Sequence, residues 1–301
     1  MHDKIYDMLI VGGGPGGYTA ALYGARAGLS VLVLERLAAG GQMAETPQID
    51  NYPGYTGLDG FMLGQQMKDT AESFGAESRF AEVTKLHLEG SIKSVETTDG
   101  IFYGKTVVIA TGAHPRKLNV PGEQELLGRG VHYCAACDGM FYRGKTVAVI
   151  GGGNTAAAAI SVLSRVASKV LVIHRRDTLR ASGVYHKPLQ ALTNAEFHWN
   201  CVVQEIRQGE LEVENVISGE KQVLPCDGVF VSIGRQPETS LVEGLLHLDA
   251  QGYIVADETT KTNIPGVYAV GDVRTKGLRQ IVTAVADGAT AVHYAEEYLA
   301  L

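Results

Sequence analysis

The fold of this chain is decided by the stretch MLIVGGGPGGYTAALYGARAGLSVLVLE, residues 8–35. Its first four residues form a short apolar run that ends at glycines, which is typical of a parallel strand buried on both faces. The alanine-rich amphipathic stretch 18–27 predicts a helix, and the apolar run 31–34 predicts a second strand that ends at Glu35. The stretch therefore predicts a strand, a helix and a second strand in immediate succession.

The same order of elements returns in residues 147–176, where VAVI is followed by GGG, a helical stretch over 156–166, the apolar run VLVI and then HRR. Glu35 follows Gly12 by 23 positions, and His174 follows Gly151 by the same 23 positions. One glycine turn of this kind is a weak signal. Two in register, each after a strand and before a helix, indicate two dinucleotide-binding units, and a duplicated fold unit without a ligand is the alternative.

Each glycine of such a turn has a physical role. The first makes the turn, the second lets the backbone approach a pyrophosphate, and the third packs the helix against the strand, so that the anion lies at the positive end of the helix. These positions are filled by Gly12, Gly14 and Gly17 in the first copy and by Gly151, Gly153 and Ala156 in the second.

The residues after the second strand of each copy predict which nucleotide binds there. Glu35 offers a carboxylate to a ribose diol and would repel a 2′-phosphate, so the first copy suits FAD or NAD. Arg175 and Arg176, with Arg180 shortly after them, can form charge-assisted bonds with a phosphate, so the second copy suits NADP(H). Three arginines on a solvated loop are the alternative interpretation.

The sequence CAACD at residues 134–138 places two cysteines beside a carboxylate. The two-residue spacer allows a small, reducible disulfide ring, and the carboxylate can supply or take the proton that thiol–disulfide exchange requires. A zinc site is the alternative, with His132 as a third ligand, but no second Cys or His pair lies nearby in the sequence. Two dinucleotide sites and a redox pair together indicate electron transfer between a flavin, a nicotinamide and a disulfide.

Composition bounds the remaining possibilities. The 301 residues carry 26 basic and 33 acidic side chains, a net charge of −7 without a run of five like charges, so a nucleic acid partner is not expected. No apolar run reaches the roughly 18 residues that span a bilayer, and no leader pattern is apparent, so we expect a soluble, cytoplasmic protein. Four cysteines do not make a secreted disulfide framework, and Cys201 and Cys226 are expected to be buried small hydrophobes.

Nine segments form a longer pattern along the chain. They are GGGPGG at 12–17, GGQM at 40–43, NYPG at 51–54, ATGAHPR at 110–116, VHYCAACDG at 131–139, GGGNTA at 151–156, HRRDTLR at 174–180, GVYAVGDV at 266–273 and LRQIVTA at 278–284. With these segments in this order and spacing, the chain resembles one family nearly from end to end, the low-molecular-weight, bacterial-type thioredoxin reductases.

The resemblance implies an α/β fold of two Rossmann-like, three-layer domains, the second inserted in the first. A discontinuous FAD-binding domain would comprise residues 1–116 and 245–301, and an NADPH-binding domain with the redox cysteines would comprise residues 117–244. The segments 113–115 and 234–237 each end in proline after an apolar strand, and they are the expected two-stranded hinge.

The resemblance also assigns cofactor contacts residue by residue. The expected FAD contacts are Gly12, Gly14, Gly17, Glu35, Gln42, Asn51, Thr111, Gly112, Gly271, Asp272, Gln280 and Ile281. The expected NADPH contacts are Gly151, Gly153, Asn154, Thr155, His174, Arg175, Arg176 and Arg180.

Some of these positions have independent physical support. Asp272 follows the apolar run 267–270, at the carboxyl end of a strand, where ligands of such sheets bind. The helix-like stretch 283–299 begins beside Gln280 and Ile281, and its dipole would stabilise a reduced, anionic flavin at its N-terminus. An N-cap or turn role is the alternative for Asp272, and a turn role is the alternative for Asn51.

The resemblance implies an NADPH-dependent flavoenzyme that reduces the disulfide of thioredoxin or a thioredoxin-like protein and that forms a homodimer. Cys137 would face the flavin, Cys134 would attack the disulfide of the partner, and Asp138 would serve as acid and base. The alternatives are a FAD-dependent dithiol oxidase, a ferredoxin-linked relative and a non-catalytic flavin protein. The arginine cluster and the CxxCD motif disfavour them.

The chain departs from the family pattern in two places. Two alanines form the spacer between the cysteines, where Ala-Thr is commoner, and neither side chain takes part in exchange. The stretch Ala156–Ala159 stands where relatives usually place an acidic pair, so nicotinamide binding is the step that this departure would affect.

Overall fold

The structure is a computed structural model, and it describes residues 4–46, 48–55 and 57–300. Within these residues the chain divides into two compact units. Unit 1 comes from residues 1–114 and 236–301, and unit 2 comes from residues 115–235. Unit 2 is therefore an insertion within unit 1.

Strands and helices alternate along much of the chain. The strands are β1 (Ile5–Val11), β2 (Val31–Glu35), β3 (Glu77–Phe80), β4 (Val83–His87), β5 (Lys93–Thr97), β6 (Gly100–Ile109), β7 (Ala113–Pro115), β8 (Val131–His132), β9 (Thr146–Ile150), β10 (Lys169–His174), β11 (Ala195–Trp199), β12 (Cys201–Arg207), β13 (Glu210–Asn215), β14 (Lys221–Pro225), β15 (Gly228–Val231), β16 (Arg235–Pro237) and β17 (Val267–Ala269). The α-helices are α1 (Pro15–Arg26), α2 (Gly60–Ser73), α3 (Ala135–Asp138), α4 (Asn154–Leu163), α5 (Gly183–Gln190) and α6 (Ile281–Leu299). Short 3₁₀ helices span Gly41–Glu45, Gly139–Tyr142, Ser240–Val242 and Gly271–Val273.

The sheet of unit 1 is mixed. Strands β3, β2, β1 and β6 are parallel neighbours in that order, and β17 pairs in parallel with the second half of β6. The first half of β6 pairs with β5 in an antiparallel meander that ends at β4. The carboxyl ends of β1, β2 and β17 therefore meet at one edge of the sheet, where parallel α/β sheets bind ligands.

Both faces of this sheet are buried. Leu9 and Val11 of β1 join one apolar cluster, and Met8 and Ile10 join the other, together with residues of α1 and α6. A strand that is covered on both faces reads as a continuous apolar run, which explains the sequence at residues 8–11.

Unit 2 has three layers. Its central sheet is parallel, in the order β11, β10, β9, β15, β8. On one face, Val147 and Val149 of β9 pack with Ile160 of α4. On the other face, Ala148 packs with Leu211 and other residues of the antiparallel sheet β12–β13–β14.

The structure confirms the predicted α/β class and the two Rossmann-like strand–helix–strand repeats, and it moves the helix boundaries. α1 begins at Pro15 instead of residue 18, because proline is favoured at the first helical position. α4 spans Asn154–Leu163 instead of 156–166, and α6 begins at Ile281 instead of residue 283.

The two connections between the units, β7 and β16, pair with each other. Among the described helices, none combines the length and the apolar character that crossing a bilayer requires.

Candidate redox and nucleotide sites

The first glycine turn joins β1 to α1 and can only be built from glycine at two of its positions. Gly12 has φ +107°, and a Cβ on it would lie 2.4 Å from the carbonyl oxygen of Ala110. A Cβ on Gly17 would lie 2.0 Å from the carbonyl oxygen of Gly12. Gly14 is the N-cap of α1 and provides no side-chain cap, and a Cβ there would have no described atom within 4 Å. The N-cap position of α1 therefore leaves open space at Gly14, which fits the close approach of a pyrophosphate.

Glu35, the last residue of β2, is fixed next to this turn. Its Oε2 accepts a hydrogen bond from the amide of Gly13 at 2.6 Å, and its Oε1 accepts one from the amide of Leu37 at 3.0 Å. A carboxylate oxygen has two acceptor sites, so each oxygen keeps capacity for a ribose hydroxyl. The carboxylate position fits the adenosine end of a dinucleotide.

The C-terminal part of unit 1 packs at the same edge of the sheet. A Cβ on Gly16 of α1 would lie 3.2 Å from the carbonyl oxygen of Ala284 and 3.6 Å from the amide nitrogen of Gly271. This close approach places the 3₁₀ helix Gly271–Val273, and Asp272 with it, beside the first turn of α1.

Residues from the two ends of the chain also meet in unit 1. Asn51 Nδ2 donates to Gln280 Oε1 at 3.0 Å, and Gln280 is the N-cap of α6 in a capping box with Thr283. Ile281 is the first residue of this helix, and Gln42 lies on the 3₁₀ helix Gly41–Glu45.

Thr111 and Gly112 come two and three residues after the end of β6. The hydroxyl of Thr111 donates to the carbonyl oxygen of Glu238 at 2.6 Å. Gly112 has φ +76°, and no described atom lies within 4 Å of a Cβ built on it. All the candidate FAD residues thus lie on unit 1, at or near the sheet edge where β1 and β2 end.

A buried ion cluster that the sequence analysis missed supports this edge. Asp287 of α6 accepts from Arg274 Nη2 at 2.7 Å and from Arg274 Nε at 3.0 Å, and Lys276 Nζ lies 2.6 Å from its Oδ2. The same Oδ2 accepts from the amide of Gly271 at 2.8 Å. Asp287 therefore fixes the backbone from which Asp272 projects.

The second glycine turn, between β9 and α4, repeats this construction in unit 2. Gly151 has φ +141°, and a Cβ on it would lie 2.3 Å from the carbonyl oxygen of Ser232. Gly153 is the N-cap of α4, and a Cβ on it would meet nothing within 4 Å among the residues described. Ala156, at the third position, is fully buried against the turn.

His174 ends β10 directly beneath this turn. A Cβ on Gly152 would lie 2.3 Å from its imidazole ring, and its Nε2 is buried without a hydrogen-bond partner among the described residues. Burial lowers the pKa of His174, and the positive charges of Arg180, Arg176 and Arg175 lower it further. An unpartnered buried nitrogen beside an open helix N-terminus and three guanidinium groups fits a phosphate-bearing ligand.

The arginines and the start of α4 lie around the second glycine turn. Arg175 and Arg176 are exposed directly after β10, and the exposed Arg180 returns to the turn through its amide, which donates to the carbonyl oxygen of Gly152 at 2.7 Å. Asn154 Oδ1 accepts from the amide of Ser182 at 2.8 Å, and Thr155 is exposed on the first turn of α4. Every candidate NADPH residue therefore lies at one end of the unit 2 sheet.

The redox cysteines also lie on unit 2. Cys134 and Cys137 form a disulfide with a Cα–Cα distance of 5.2 Å, and both residues are half-buried. Cys134 is the N-cap of α3, where its Sγ accepts from the amide of Cys137 at 3.2 Å. Asp138 is the last residue of this short helix, so its carboxylate lies one position from the disulfide.

The sequence raised expectations about three further residues of unit 2, and for one of them, Cys201, the expectation of burial was wrong. The ring nitrogens of His132 lie 3.1 Å from Asp138 Oδ2 and 2.7 Å from the Tyr142 hydroxyl. Cys226 is buried as expected, and burial raises its pKa to about 12. Cys201 begins β12 and is only half-buried.

Two glycine turns at helix N-termini and a Cys-x-x-Cys disulfide beside a carboxylate define a class, the dinucleotide-binding disulfide oxidoreductases. The chain belongs to the pyridine nucleotide-disulphide oxidoreductase family, which matches residues 6–288. It is 41% identical to a thioredoxin reductase of Listeria innocua, over 99% of this chain and 95% of that protein.

Solved structures give the same result. A thioredoxin reductase from Streptococcus pyogenes has a TM-score of 0.93 and 44% identity, with 98% of each chain covered. A thioredoxin reductase from Giardia duodenalis has a TM-score of 0.94 and 31% identity, with 99% of this chain and 100% of that chain covered. The family resemblance that the nine sequence segments indicated is confirmed.

Proposed function

We propose that this chain is an NADPH-dependent flavoenzyme that reduces the disulfide of thioredoxin or a thioredoxin-like protein. The observation that carries the proposal is the half-buried Cys134–Cys137 disulfide next to Asp138, in the same unit as the second glycine turn and the arginine cluster. A disulfide that turns over must be accessible to a partner thiol or disulfide. The similar proteins reported above carry the name thioredoxin reductase, which supports the same substrate class.

FAD would be held by unit 1. The N-terminus of α1, at Gly12, Gly14 and Gly17, would take its pyrophosphate, and Glu35 would bind the adenosine ribose. The flavin end would be bound by Gln42, Asn51, Thr111, Gly112, Gly271, Asp272, Gln280 and Ile281.

NADPH would be held by unit 2. Its pyrophosphate would lie at the N-terminus of α4, where Gly151, Gly153, Asn154 and Thr155 form the turn. Its 2′-phosphate would be bound by His174, Arg175, Arg176 and Arg180, whose guanidinium groups match phosphate geometry. Unit 1 has the carboxylate of Glu35 after its second strand, whereas unit 2 has basic side chains at the matching place. The two sites would therefore select different nucleotides.

When bound, the two nucleotides supply an electron pair to the disulfide. Two electrons and two protons convert the Cys134–Cys137 disulfide to a dithiol. The Cys134 thiolate attacks one sulfur of the partner disulfide, which forms a mixed disulfide and releases a partner thiolate. The Cys137 thiolate then attacks the Cys134 sulfur, which reforms the internal disulfide and releases the second partner thiolate.

Asp138 would move the protons of this exchange. Its carboxylate takes a proton from an attacking cysteine thiol and returns a proton to a leaving thiolate. The side chain is mostly buried but not sealed from solvent, so it can exchange protons with water between turnovers. Exposed Met140 and Phe141 follow it in the chain and would give a protein partner an apolar contact beside the disulfide.

We further propose that the chain works as a cytoplasmic homodimer. A groove of about 170 Å³ on unit 1 is lined by Tyr18, Tyr23, Tyr52, Tyr55, Leu63 and Met67, among other residues. Tyr23 and Tyr55 are exposed, and a second copy would bury them. Sedimentation velocity at micromolar concentration tests this proposal, with Tyr23→Glu expected to shift the protein to monomer.

Anaerobic titration with NADPH tests the enzymatic proposal. We expect the flavin absorbance to bleach, and we expect colour to return when an oxidised thioredoxin-like protein is added. A dithiol oxidase would instead be bleached by dithiols and reoxidised by oxygen. A flavin that NADPH leaves oxidised would overturn the proposal.

A further inference from the structure

A buried histidine of unit 2 contacts the carboxylate that follows the redox cysteines in the chain. His132 is the last residue of β8, and its side chain is 7% exposed. Its Nδ1 lies 3.1 Å from Asp138 Oδ2, and its Nε2 lies 2.7 Å from the hydroxyl of Tyr142. The three side chains form one continuous hydrogen-bonded chain that ends at the carboxylate beside Cys137.

Aromatic packing fixes the imidazole ring in this position. The ring stacks on Phe230 of β15, with centroids 5.3 Å apart and planes 26° apart, and it meets the edge of Tyr142 at 5.2 Å. Tyr142 in turn lies on Gly228, where a Cβ would come within 2.3 Å of the tyrosine ring. Because each ring is held by another, His132 cannot turn away from Asp138 without repacking this core.

The partners determine where the protons lie. An ionised carboxylate only accepts hydrogen bonds, so His132 Nδ1 must donate to Asp138. The neutral ring then accepts at Nε2, and the Tyr142 hydroxyl donates there. Burial, followed by the negative charge of Asp138, raises the pKa of Tyr142, so the phenol keeps the proton that it donates.

We propose that His132 is a positioning residue, which orients the Asp138 carboxylate towards the Cys134–Cys137 pair, while Tyr142 fixes the imidazole tautomer. The inference rests on the proposed function, in which Asp138 is the acid and base of thiol–disulfide exchange. The carboxylate takes one proton from a cysteine thiol and returns one to a leaving thiolate, and the imidazole keeps its Nδ1 proton throughout. The proton count is therefore balanced without His132.

The other ionisable groups near this chain are few. Asp227 and the Cys226 thiol act on Tyr142 from the segment before β15, and Lys145 Nζ lies 5.4 Å from the centroid of the Tyr142 ring. The helix α4, which packs against α3, has the sequence NTAAAAISVL and carries no titratable side chain. Within the described structure, His132 is thus the titratable side chain that bonds directly to the Asp138 carboxylate.

The test compares variants that keep or remove the Nδ1 donor. His132→Leu keeps much of the volume and removes the donor, whereas His132→Asn keeps an N–H near the position of Nδ1. Tyr142→Phe removes only the hydroxyl that fixes the tautomer. His198→Leu is the matched control, because His198 is also a mostly buried histidine of unit 2 but pairs with Glu196 on β11.

The holoenzyme is assayed with oxidised thioredoxin, and flavin bleaching by NADPH is measured separately in a stopped-flow instrument. We expect His132→Leu to lower kcat about tenfold, since one charge-assisted hydrogen bond is lost. His132→Asn should recover most of kcat. Flavin bleaching should stay within twofold of wild type in all variants.

Other outcomes overturn the inference. A wild-type kcat in His132→Leu would contradict it, and so would equal losses in His132→Leu and His132→Asn, because those losses would report packing alone. If His132→Leu does not fold, Tyr142→Phe decides, with a smaller loss of kcat expected and an unchanged kcat as the contrary result. A wild-type enzyme that bleaches with NADPH but reduces no thioredoxin would overturn the proposed function instead. The same His132 variants would then be compared with 5,5′-dithiobis(2-nitrobenzoate) as the disulfide.

Discussion

Asn51 and Gln280 are separated by 229 positions in sequence, yet Asn51 Nδ2 donates a hydrogen bond to Gln280 Oε1 at 3.0 Å. Gln280 is also the N-cap of α6, the last helix of the chain. The contact ties an N-terminal loop to a C-terminal helix within unit 1. Both residues are proposed FAD contacts, so the hydrogen bond would hold two parts of one site in register.

Asn51→Ala should therefore weaken FAD binding. The substitution removes the donor that bonds Gln280, and the loss of one or two hydrogen bonds of about 1 kcal/mol each predicts a dissociation constant about tenfold higher. Fluorescence titration of the apoprotein with FAD measures this constant. Gln48→Ala is the control, because Gln48 bonds only the exposed Asp50 in the described structure. An unchanged constant in Asn51→Ala would remove Asn51 from the site.

Asp287→Asn should destabilise unit 1 strongly. The substitution leaves Arg274 and Lys276 as buried positive charges without a counter-charge, and breaking a buried ion pair in this way costs about 3–5 kcal/mol. Urea unfolding followed by circular dichroism measures the free energy. Glu297→Gln, which removes an exposed pair with His293, should change it by less than about 1 kcal/mol. Similar effects of the two substitutions would show that the buried cluster contributes little.

Stability should fall as the pH drops below neutrality. Burial lowers the pKa of His174 and of His198 from the ordinary value of 6.5. The unfolded state then binds more protons than the folded state, so the unfolding free energy decreases as pH falls through 6.5 and levels off below the lowered values. His174→Asn and His198→Asn should each flatten this decrease in urea unfolding between about pH 5 and pH 8. The exposed His87→Asn is the control, and an equal slope in all four proteins would contradict the prediction.

The strand and helix repeats could be predicted from the sequence because their causes are local. Gly12 and Gly151 have positive φ values that glycine adopts readily, and apolar runs of four residues precede them. The helix starts were predicted two or three residues late, and for α1 the reason is that the proline and glycines of the first turn belong to the helix. The nucleotide contacts stay predictions, since they depend on ligands.

The polar networks could not be predicted in this way. Asp287 reaches Arg274 and Gly271 only because α6 packs beside the end of β17, and no sequence pattern specifies that approach. The sequence suggested a role for His132 only as a third zinc ligand, an alternative that the lack of a second Cys or His pair disfavoured. Its actual partners are set by the packing of β8, α3 and the 3₁₀ helix that contains Tyr142.

The enzyme should prefer NADPH to NADH strongly, and Arg176→Ala should narrow the preference. Two or three charge-assisted bonds of about 1.5–3 kcal/mol each imply at least about tenfold discrimination in kcat/KM. The loss in Arg176→Ala should fall mainly on NADPH, because NADH lacks the 2′-phosphate. Arg207→Ala is the control, since Arg207 is an exposed arginine of unit 2 that pairs with Glu205, Glu210 and Glu212. Wild-type kcat/KM values within a factor of two for the two nucleotides would refute the assignment of the arginine cluster.

The four cysteines should separate into an essential pair and a dispensable pair. Cys134→Ser and Cys137→Ser each leave one thiol of a pair that must form and break a disulfide, so both should abolish reduction of thioredoxin while NADPH still bleaches the flavin. Cys226→Ser should keep activity, because burial raises the pKa of the Cys226 thiol to about 12 and leaves almost no thiolate at neutral pH. Cys201→Ser should also keep activity, since burial raises the pKa of Cys201 and its Sγ donates to the carbonyl oxygen of Trp199 at 3.2 Å. Steady-state assays with thioredoxin and single-turnover flavin reduction measure both effects. Wild-type turnover in Cys134→Ser or in Cys137→Ser would show that electrons reach thioredoxin by a route that does not use this disulfide.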